Sequence, residues 1–456
     1  MVFVKKSSKV GVLVVFLVWS KQFHFFNFYV DFEKGKMRNN HKSNDDYMER
    51  MFRAYESMGI DVKRPENVSS TTRRISQKLQ GANFSISEAN ASTQWRVSPR
   101  DPRGVLYKAS DRPIMCLSVY DENEAVVGSS DHALYTFDPS TGRKKRRLYT
   151  KRHGHREWVT CCTYTSTGEI LSGGMDSKIC VWDRKALRCD EMLGHRGSVS
   201  TLLSGKNCDI AISGSYDRTI RVWNVKSRKE MAKISKHKGP ILCMDWSRDS
   251  SMICGSRDGK ISIFDLNDTR KPLGFFDCER AGHVTSVATF QAQGSGKSVY
   301  LTGHQDGCVR LWDLRTKKKS AVVKRACHIS ADGRAGAVGK IVCSNAHSEL
   351  EHLGGNVIVT AGADSSICVL DPRSSLKPCI RFSHHKDFIY SLACVGSIAV
   401  SGSGDGNVLI HDLRNGKLLY GIGANQHAVR CVVARKEFMV TAGDDGSALC
   451  FNYSSS

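Results

Sequence analysis

Several histidine, serine and aspartate residues in this chain are of the types that nucleophilic hydrolysis requires, in which an aspartate orients a histidine that activates a serine. Two such sets are His155, Ser172 and Asp176, then His195, Ser213 and Asp217. An active site needs one set, whereas here similar sets recur along the chain. We therefore interpret them as structural and expect no catalytic residue, no metal site and no cofactor.

A second pattern explains the recurrence. An aspartate in a Gly/Ser-rich turn is followed six residues later by a large side chain, as in GMDSKICVWD and SYDRTIRVWN. Eight turn aspartates occur, separated by 45, 41, 41, 48, 58, 41 and 40 residues: Asp131, Asp176, Asp217, Asp258, Asp306, Asp364, Asp405 and Asp445. Apolar residues upstream of each alternate with the period of a strand. A four-stranded unit of about 40 to 45 residues is typical of a β-propeller blade. The sequence thus predicts an all-β, eight-bladed propeller over 104–456, with seven blades as the alternative.

The two ends of the predicted propeller complement each other. The last unit stops after ALCFNY and a serine tail, so its fourth strand is missing, and GVLYK at 104–108 could fill that place. Closure of this kind removes exposed sheet edges. Before the propeller we expect an extension over 37–103, with a short helix near 45–58 and then a linker.

The repeats resemble those of the Trp-Asp (WD) repeat β-propeller family over about three quarters of the chain. In that family a His before the first strand, a Ser or Thr on the second, the turn Asp and a Trp form a hydrogen-bonded line within a blade. The resemblance implies this line in units two, three and five: His155, Ser172, Asp176 and Trp182; His195, Ser213, Asp217 and Trp223; His283, Thr302, Asp306 and Trp312. Such a line would satisfy buried polar atoms.

The remaining units depart from this pattern. Unit four keeps His237 but has Cys254 and Phe264, and unit seven has His411 where the family has Trp. In unit eight His427 is two residues out of register, and units one and six offer no His. We expect these blades to be less rigid, and we expect an insertion around 326–339 in the 58-residue repeat.

The charge and the cysteine content indicate which partners and which cellular compartment to expect. The chain has 67 Lys and Arg against 45 Asp and Glu, a net charge of +22, which favours acidic partners. Its 17 cysteines form no CxxC pair, so we expect reduced thiols in a cytoplasmic or nuclear protein. The apolar run within 1–36 is too short to span a bilayer comfortably and lacks a clean cleavage site. We interpret it as a start codon assigned too early rather than as a signal peptide.

The resemblance also implies a partner surface, on the side where the loops before the first strands and the turn aspartates emerge. Residues just after the blade His or just before the turn Asp would form it: Arg156, Trp158, Arg196, Tyr216, Lys238, Arg257, Gln305, Lys386 and Phe388. Cations mixed with aromatics are typical of interaction hot spots, and Arg suits carboxylates and phosphates. We therefore expect a non-catalytic scaffold that binds an acidic or phosphorylated protein segment, with no small-molecule substrate and no membrane partner.

Two other functions stay open. LTGHQDGCVRLWDLR resembles the box of substrate receptors of cullin-RING ubiquitin ligases, so Trp312, Asp313 and Arg315 could contact a ligase adaptor. The basic charge also permits a role as an RNA-associated subunit of a ribonucleoprotein complex, although the sequence carries no RNA-binding signature.

Overall fold

The chain divides into two compact units, Met1–Val18 with His24–Ala82, and Trp19–Phe23 with Asn83–Ser456. The computed structural model describes residues 2–3, 12–16, 27–31, 93–149, 153–184, 188–205, 209–247, 250–268, 271–278, 281–291, 298–314, 323–329, 333–343 and 357–453. In the first unit, β1 (Val2–Phe3), β2 (Val12–Phe16) and β3 (Asn27–Asp31) form an antiparallel sheet in that order. The helix expected near 45–58 lies outside the described residues.

The described part of the second unit contains eight four-stranded antiparallel sheets, here called blades 1 to 8. In blade order and from first to fourth strand, blades 1 to 4 are β5 (Ile114–Asp121), β6 (Glu124–Ser129), β7 (Leu134–Phe137) and β8 (Lys144–Leu148); β9 (Val159–Tyr164), β10 (Ile170–Gly174), β11 (Ile179–Trp182) and β12 (Cys189–Met192); β13 (Val199–Ser204), β14 (Ile210–Ser215), β15 (Ile220–Asn224) and β16 (Lys229–Ile234); β17 (Ile241–Trp246), β18 (Ser251–Ser256), β19 (Lys260–Asp265) and β20 (Pro272–Asp277). Blades 5 to 8 are β21 (Val284–Gln291), β22 (Ser298–His304), β23 (Cys308–Trp312) and β24 (Val323–Ala326); β25 (Val338–Cys343), β26 (Ile358–Gly362), β27 (Ile367–Asp371) and β28 (Lys377–Phe382); β29 (Ile389–Val395), β30 (Ile398–Ser403), β31 (Asn407–Asp412) and β32 (Lys417–Gly423); β33 (Val429–Ala434), β34 (Phe438–Gly443), β35 (Ser447–Asn452) and β4 (Val105–Lys108). The prediction of eight blades is confirmed, and the seven-bladed alternative is wrong.

The first strands of successive blades pack against one another around a ring, and β33 packs against β5 to close it. Blade 8 is completed from the other end of the propeller, because β4 pairs with β35 from Lys108 opposite Ser447 to Val105 opposite Cys450. Hydroxyl groups also link neighbouring blades. The Ser200 hydroxyl lies 2.9 Å from the Gly214 carbonyl oxygen in its own blade and 2.7 Å from the Ile241 carbonyl oxygen of blade 4.

The hydrophobic core lies between the blades. Leu171 and Val181 of blade 2 form one cluster with Ala211 and Trp223 of blade 3. The blades approach so closely that the second strand needs glycine at the contact: a Cβ on Gly214 would lie 2.7 Å from the Ile241 Cγ2 atom. This requirement accounts for the recurrence of Ser-Gly and Gly-Gly pairs just before the turn aspartates.

A 3-10 turn, Thr93–Arg96, precedes β4, and its Trp95 packs in the hydrophobic cluster formed by blades 7 and 8. Trp95 is fully buried and stacks on Tyr453 with ring centroids 3.9 Å apart. Its indole N–H donates to the Lys436 carbonyl oxygen at 2.8 Å, and the Tyr420 hydroxyl donates to the Trp95 carbonyl oxygen at 3.1 Å. The sequence reasoning placed this residue in a linker. A second 3-10 turn is Pro372–Ser374, and no helix in the described ranges is long and apolar enough to cross a membrane.

Candidate functional site

The hydrogen-bonded line implied by the family resemblance is present in blades 2 and 3. In blade 2, His155 Nδ1 lies 3.0 Å from Asp176 and His155 Nε2 lies 2.9 Å from the Ser172 hydroxyl, to which the Trp182 indole N–H donates at 3.0 Å. Burial opposes ionisation of Asp176, but the hydrogen bond from His155 holds its pKa below the ordinary value. Blade 3 repeats this geometry with distances of 2.9, 2.7 and 2.8 Å among His195, Asp217, Ser213 and Trp223.

In blade 5 the structure corrects the expected set. The Trp312 indole N–H donates to the Thr302 hydroxyl at 2.8 Å, but the imidazole beside Thr302 is that of His304, at 2.8 Å. Both oxygens of Asp306 accept from Arg310, at 3.1 and 2.6 Å. A guanidinium therefore takes the place that imidazole has in blades 2 and 3.

His283 does not join this network. Its Nδ1 atom lies 2.6 Å from the Arg257 carbonyl oxygen of blade 4, and its own carbonyl oxygen accepts from the Gln305 amide. In blades 2 and 3 the network histidine precedes the first strand by four residues, whereas His283 immediately precedes β21. That spacing was the signal in the sequence that could have excluded it.

Blade 6 does contain a network histidine, contrary to expectation. His328 Nδ1 lies 2.8 Å from Asp364, and His328 Nε2 lies 2.9 Å from the Thr360 hydroxyl. The connection 327–337 separates this histidine widely from β25, which hid it from a search by spacing. Part of the long sixth repeat lies in this connection, while residues 344–356 are outside the described ranges.

Other side chains take the histidine position in blades 8 and 1. Asn425 donates to Asp445 at 2.9 Å in blade 8, and His427 is exposed. In blade 1 the hydroxyl groups of Ser110 and Tyr135 both donate to Asp131. The turn aspartate is thus hydrogen-bonded in each of these blades, although its partner differs.

Blades 4 and 7 keep the histidine but lose the tryptophan. His237 lies 2.7 Å from the Ser262 hydroxyl and 3.6 Å from Asp258; burial alone would lower its pKa, but Cys254 and Asp258 raise it to about 9. In blade 7, His411 is fully buried and neither of its ring nitrogens has a hydrogen-bond partner among the described residues. Burial, with nearby His384 and His385, lowers the pKa of His411 to about 3.

Besides binding the histidine, the turn aspartates of blades 2, 3 and 4 also accept a hydrogen bond from the backbone amide of the residue that follows this histidine in the sequence. The backbone amides of Arg156, Arg196 and Lys238 donate to the turn aspartates of their blades at 2.9, 3.0 and 2.8 Å, and all three side chains are exposed. The residue before each turn aspartate is held by a backbone bond as well, as when the Tyr216 amide donates to the Ser198 carbonyl oxygen. Both positions therefore lie on the same side of the ring.

Six of the nine predicted contact residues lie on three consecutive blades, and we call them the basic sector: Arg156, Trp158, Arg196, Tyr216, Lys238 and Arg257. The side chains of Arg156, Arg196 and Lys238 form no ion pair or hydrogen bond with any other described residue. The aromatic side chains of Trp158 and Tyr216 are half-buried. Cations without partners beside half-buried rings could bind an anionic chain.

Of the other three predicted residues, Gln305 is on blade 5, which adjoins blade 4, whereas Lys386 and Phe388 are on blade 7. In blades 7 and 8, carboxyl groups lie beside the predicted contact residues or pair with a nearby cation. Asp387 lies between Lys386 and Phe388, and burial raises its pKa. Arg430 donates to both oxygens of Asp444, at 2.8 and 2.7 Å, so that guanidinium is neutralised within the fold.

The structure describes two of the three residues of the predicted ligase box, Trp312 and Asp313. Trp312 is almost completely buried and bonded to Thr302, Asp313 follows it at the end of β23, and Arg315 lies outside the described residues. Within the described ranges, no group of three or more His, Cys, Asp or Glu side chains could hold a metal ion, and the cysteines are free thiols.

The family model described as "WD domain, G-beta repeat" matches five segments, 146–183, 188–224, 228–265, 270–313 and 376–412, and the resemblance found in the sequence is confirmed. Among curated proteins, the chain is 25% identical over 291 residues to "p21-activated protein kinase-interacting protein 1-like" of Gallus gallus, covering 54% of this chain and 74% of the relative. It is 27% identical over 316 residues to "Ribosome biogenesis protein WDR12 homolog" of Oryza sativa subsp. japonica, covering 65% of this chain and 64% of the relative.

Solved structures show the same fold. Sqt1 of Chaetomium thermophilum, determined bound to the N-terminus of the ribosomal protein L10, superimposes with a TM-score of 0.64 at 17% identity, covering 77% of this chain and 100% of that one. At this identity the similarity concerns the architecture.

Proposed function

Because this chain is a WD-repeat protein folded as an eight-bladed β-propeller, we propose that it is a non-catalytic scaffold whose basic sector binds an acidic or phosphorylated segment of a partner protein. The observation that supports this most directly is that the exposed side chains of Arg156, Arg196 and Lys238 form no ion pair or hydrogen bond within the described part of the chain. Guanidinium groups bind carboxylates and phosphates through paired hydrogen bonds, and the adjacent rings add apolar contact. We also propose that the protein acts in the cytoplasm or the nucleus.

Charge reversal tests the proposal. Arg196→Glu combined with Arg257→Glu should reduce capture of the main partner from native extracts by at least tenfold, because attraction becomes repulsion at the centre of the sector. The matched control is Lys229→Glu with Lys233→Glu, which makes the same change in net charge on exposed positions of β16. Unchanged capture by the Arg196/Arg257 variant, with its thermal unfolding midpoint retained, would contradict the proposal.

A ribonucleoprotein role is the second candidate, favoured by the similarity to a rice protein named for ribosome biogenesis. Direct RNA contact would make retention on immobilised RNA fall steeply with salt. Retention on protein partners that survives a salt concentration at which RNA is released would favour the scaffold over this candidate.

The ligase-adaptor contact stays a prediction. The related HDLR sequence in blade 7 shows one intramolecular use of such an arginine, since the Arg414 amide donates to Asp412 at 2.9 Å and the Arg414 Nε atom lies 3.7 Å from the same carboxylate. Arg315→Ala should abolish co-purification of a ligase adaptor if the contact exists, and unchanged co-purification would remove it.

A further inference from the structure

The residue after each turn aspartate has a left-handed backbone. Its φ angle is positive in every blade: His132 (74°), Ser177 (66°), Arg218 (71°), Gly259 (76°), Gly307 (71°), Ser365 (60°), Gly406 (80°) and Gly446 (73°). Glycine adopts this conformation without steric cost, whereas a residue with a Cβ atom is strained there. Blade 3 alone among these positions has a long charged side chain, Arg218.

Arg218 lies at the centre of the basic sector. It directly follows Asp217, whose carboxylate also accepts the Arg196 amide, so Arg196 and Arg218 flank one turn. The Arg218 side chain is exposed and has no ion-pair or hydrogen-bond partner within the described part of the chain. Its strained backbone is therefore not compensated by a contact that its side chain makes within these residues.

Strain that persists without a local contact points to a role outside the fold itself. We infer that Arg218 is a specificity-determining residue of the basic sector, which together with Arg196 holds an anionic side chain of the bound partner segment. This inference rests on the proposed function and adds a residue that the sequence reasoning did not select. It requires stability and binding to respond in opposite directions when Arg218 is replaced by glycine.

Arg218→Gly is the decisive variant. We expect a higher urea midpoint of unfolding, because glycine relieves the left-handed strain. We also expect a dissociation constant about threefold to fivefold larger, as befits the loss of one exposed charge contact. The probes are a hexaglutamate peptide and a peptide of equal length carrying three phosphoserines, with binding measured by fluorescence anisotropy. Weaker binding of either peptide supports the inference, and the peptide that loses more affinity identifies the anion.

Two matched variants separate strain from charge. Ser177→Gly relieves the equivalent turn in neighbouring blade 2 and should raise the urea midpoint without changing either dissociation constant. Arg218→Lys should retain most of the binding, since it keeps the charge. Unchanged peptide binding by Arg218→Gly, while Arg196→Glu with Arg257→Glu abolishes it, would overturn this inference and leave the proposed function intact. No loss in any variant would overturn both, and a lower urea midpoint for Arg218→Gly would refute the strain argument.

Discussion

Blades 3 and 7 are four-stranded sheets with the same strand order, but their buried polar side chains form different hydrogen bonds. Blade 3 has the complete line, with His195 2.9 Å from Asp217 and Trp223 bonded to Ser213. In blade 7, His385 is 2.7 Å from the Ser401 hydroxyl but 3.9 Å from Asp405, and His411 replaces the tryptophan without a hydrogen bond of its own among the described residues. The strand pairing nevertheless runs through the same four-stranded order in both.

The difference shows that a blade keeps its four-stranded order without a complete polar line, because the backbone ladder and the packing between blades are present in both. We expect the polar line to add stability where it is complete. The two blades also differ on the side where we propose that a partner binds. Blade 3 contributes half-buried Tyr216 and Arg196, whose side chain has no ion-pair or hydrogen-bond partner among the described residues, whereas blade 7 contributes Lys386 next to Asp387. The repeated backbone structure therefore coexists with unequal hydrogen bonding inside the blades and with different charged residues on their surface.

The largest expected difference concerns the residue six positions after the turn aspartate. Trp223→Ala should lower the free energy of unfolding by about 3 to 5 kcal/mol, because it opens a cavity between blades 2 and 3 and removes the bond to Ser213. His411→Ala should cost clearly less, since no hydrogen bond is lost. Urea unfolding of both variants measures the two decreases in the free energy of unfolding. Equal decreases would contradict the expected difference between blades 3 and 7.

A smaller difference is expected in the pH dependence. The pKa of His411 is about 3 in the folded protein, so the unfolded chain takes up a proton below its ordinary pKa near 6.5 while the folded chain does not. The stability contributed by neutral His411 is present above pH 6.5 and is lost as the pH falls, by about 2 kcal/mol between pH 7 and pH 5. Replacing His411 with Phe should make the free energy of unfolding less dependent on pH between pH 7 and pH 5. If the variant shows the same pH dependence as the unaltered protein, other groups cause it, and His384 and His385 are the nearest.

The smallest difference concerns the turn aspartates. Asp217→Asn should cost about 1 to 2 kcal/mol, because it weakens the bonds to buried His195 and to the Arg196 amide. Asp405→Asn should cost less than half of that, since its histidine lies 3.9 Å away and the Lys386 amide 3.4 Å away. Thermal unfolding of the two variants side by side is sufficient, and a larger loss in blade 7 would contradict the ranking.

Much of the site could be anticipated where the spacing is regular. In blades 2 and 3 the histidine lies four residues before the first strand, and there the structure contains the hydrogen bonds that the family resemblance implies, while the partner contacts stay a prediction. The prediction for blade 5 is wrong because His283 has the right residue type but the wrong spacing from the first strand. The prediction for blade 6 is wrong because a longer connection separates His328 from β25 in the sequence. The role of Trp95 could not be predicted because the sequence around it does not repeat.

By itself, the sequence determined the propeller architecture and the turns between its strands, and it favoured eight blades over seven, because eight copies encode the same local pairing redundantly. Only the tertiary structure decided which side chain approaches each turn aspartate, which cations have no partner among the described residues, and that Trp95 stacks on Tyr453 near the other end of the sequence. Those outcomes depend on distances between residues far apart in the chain, and such distances are fixed only when the ring closes.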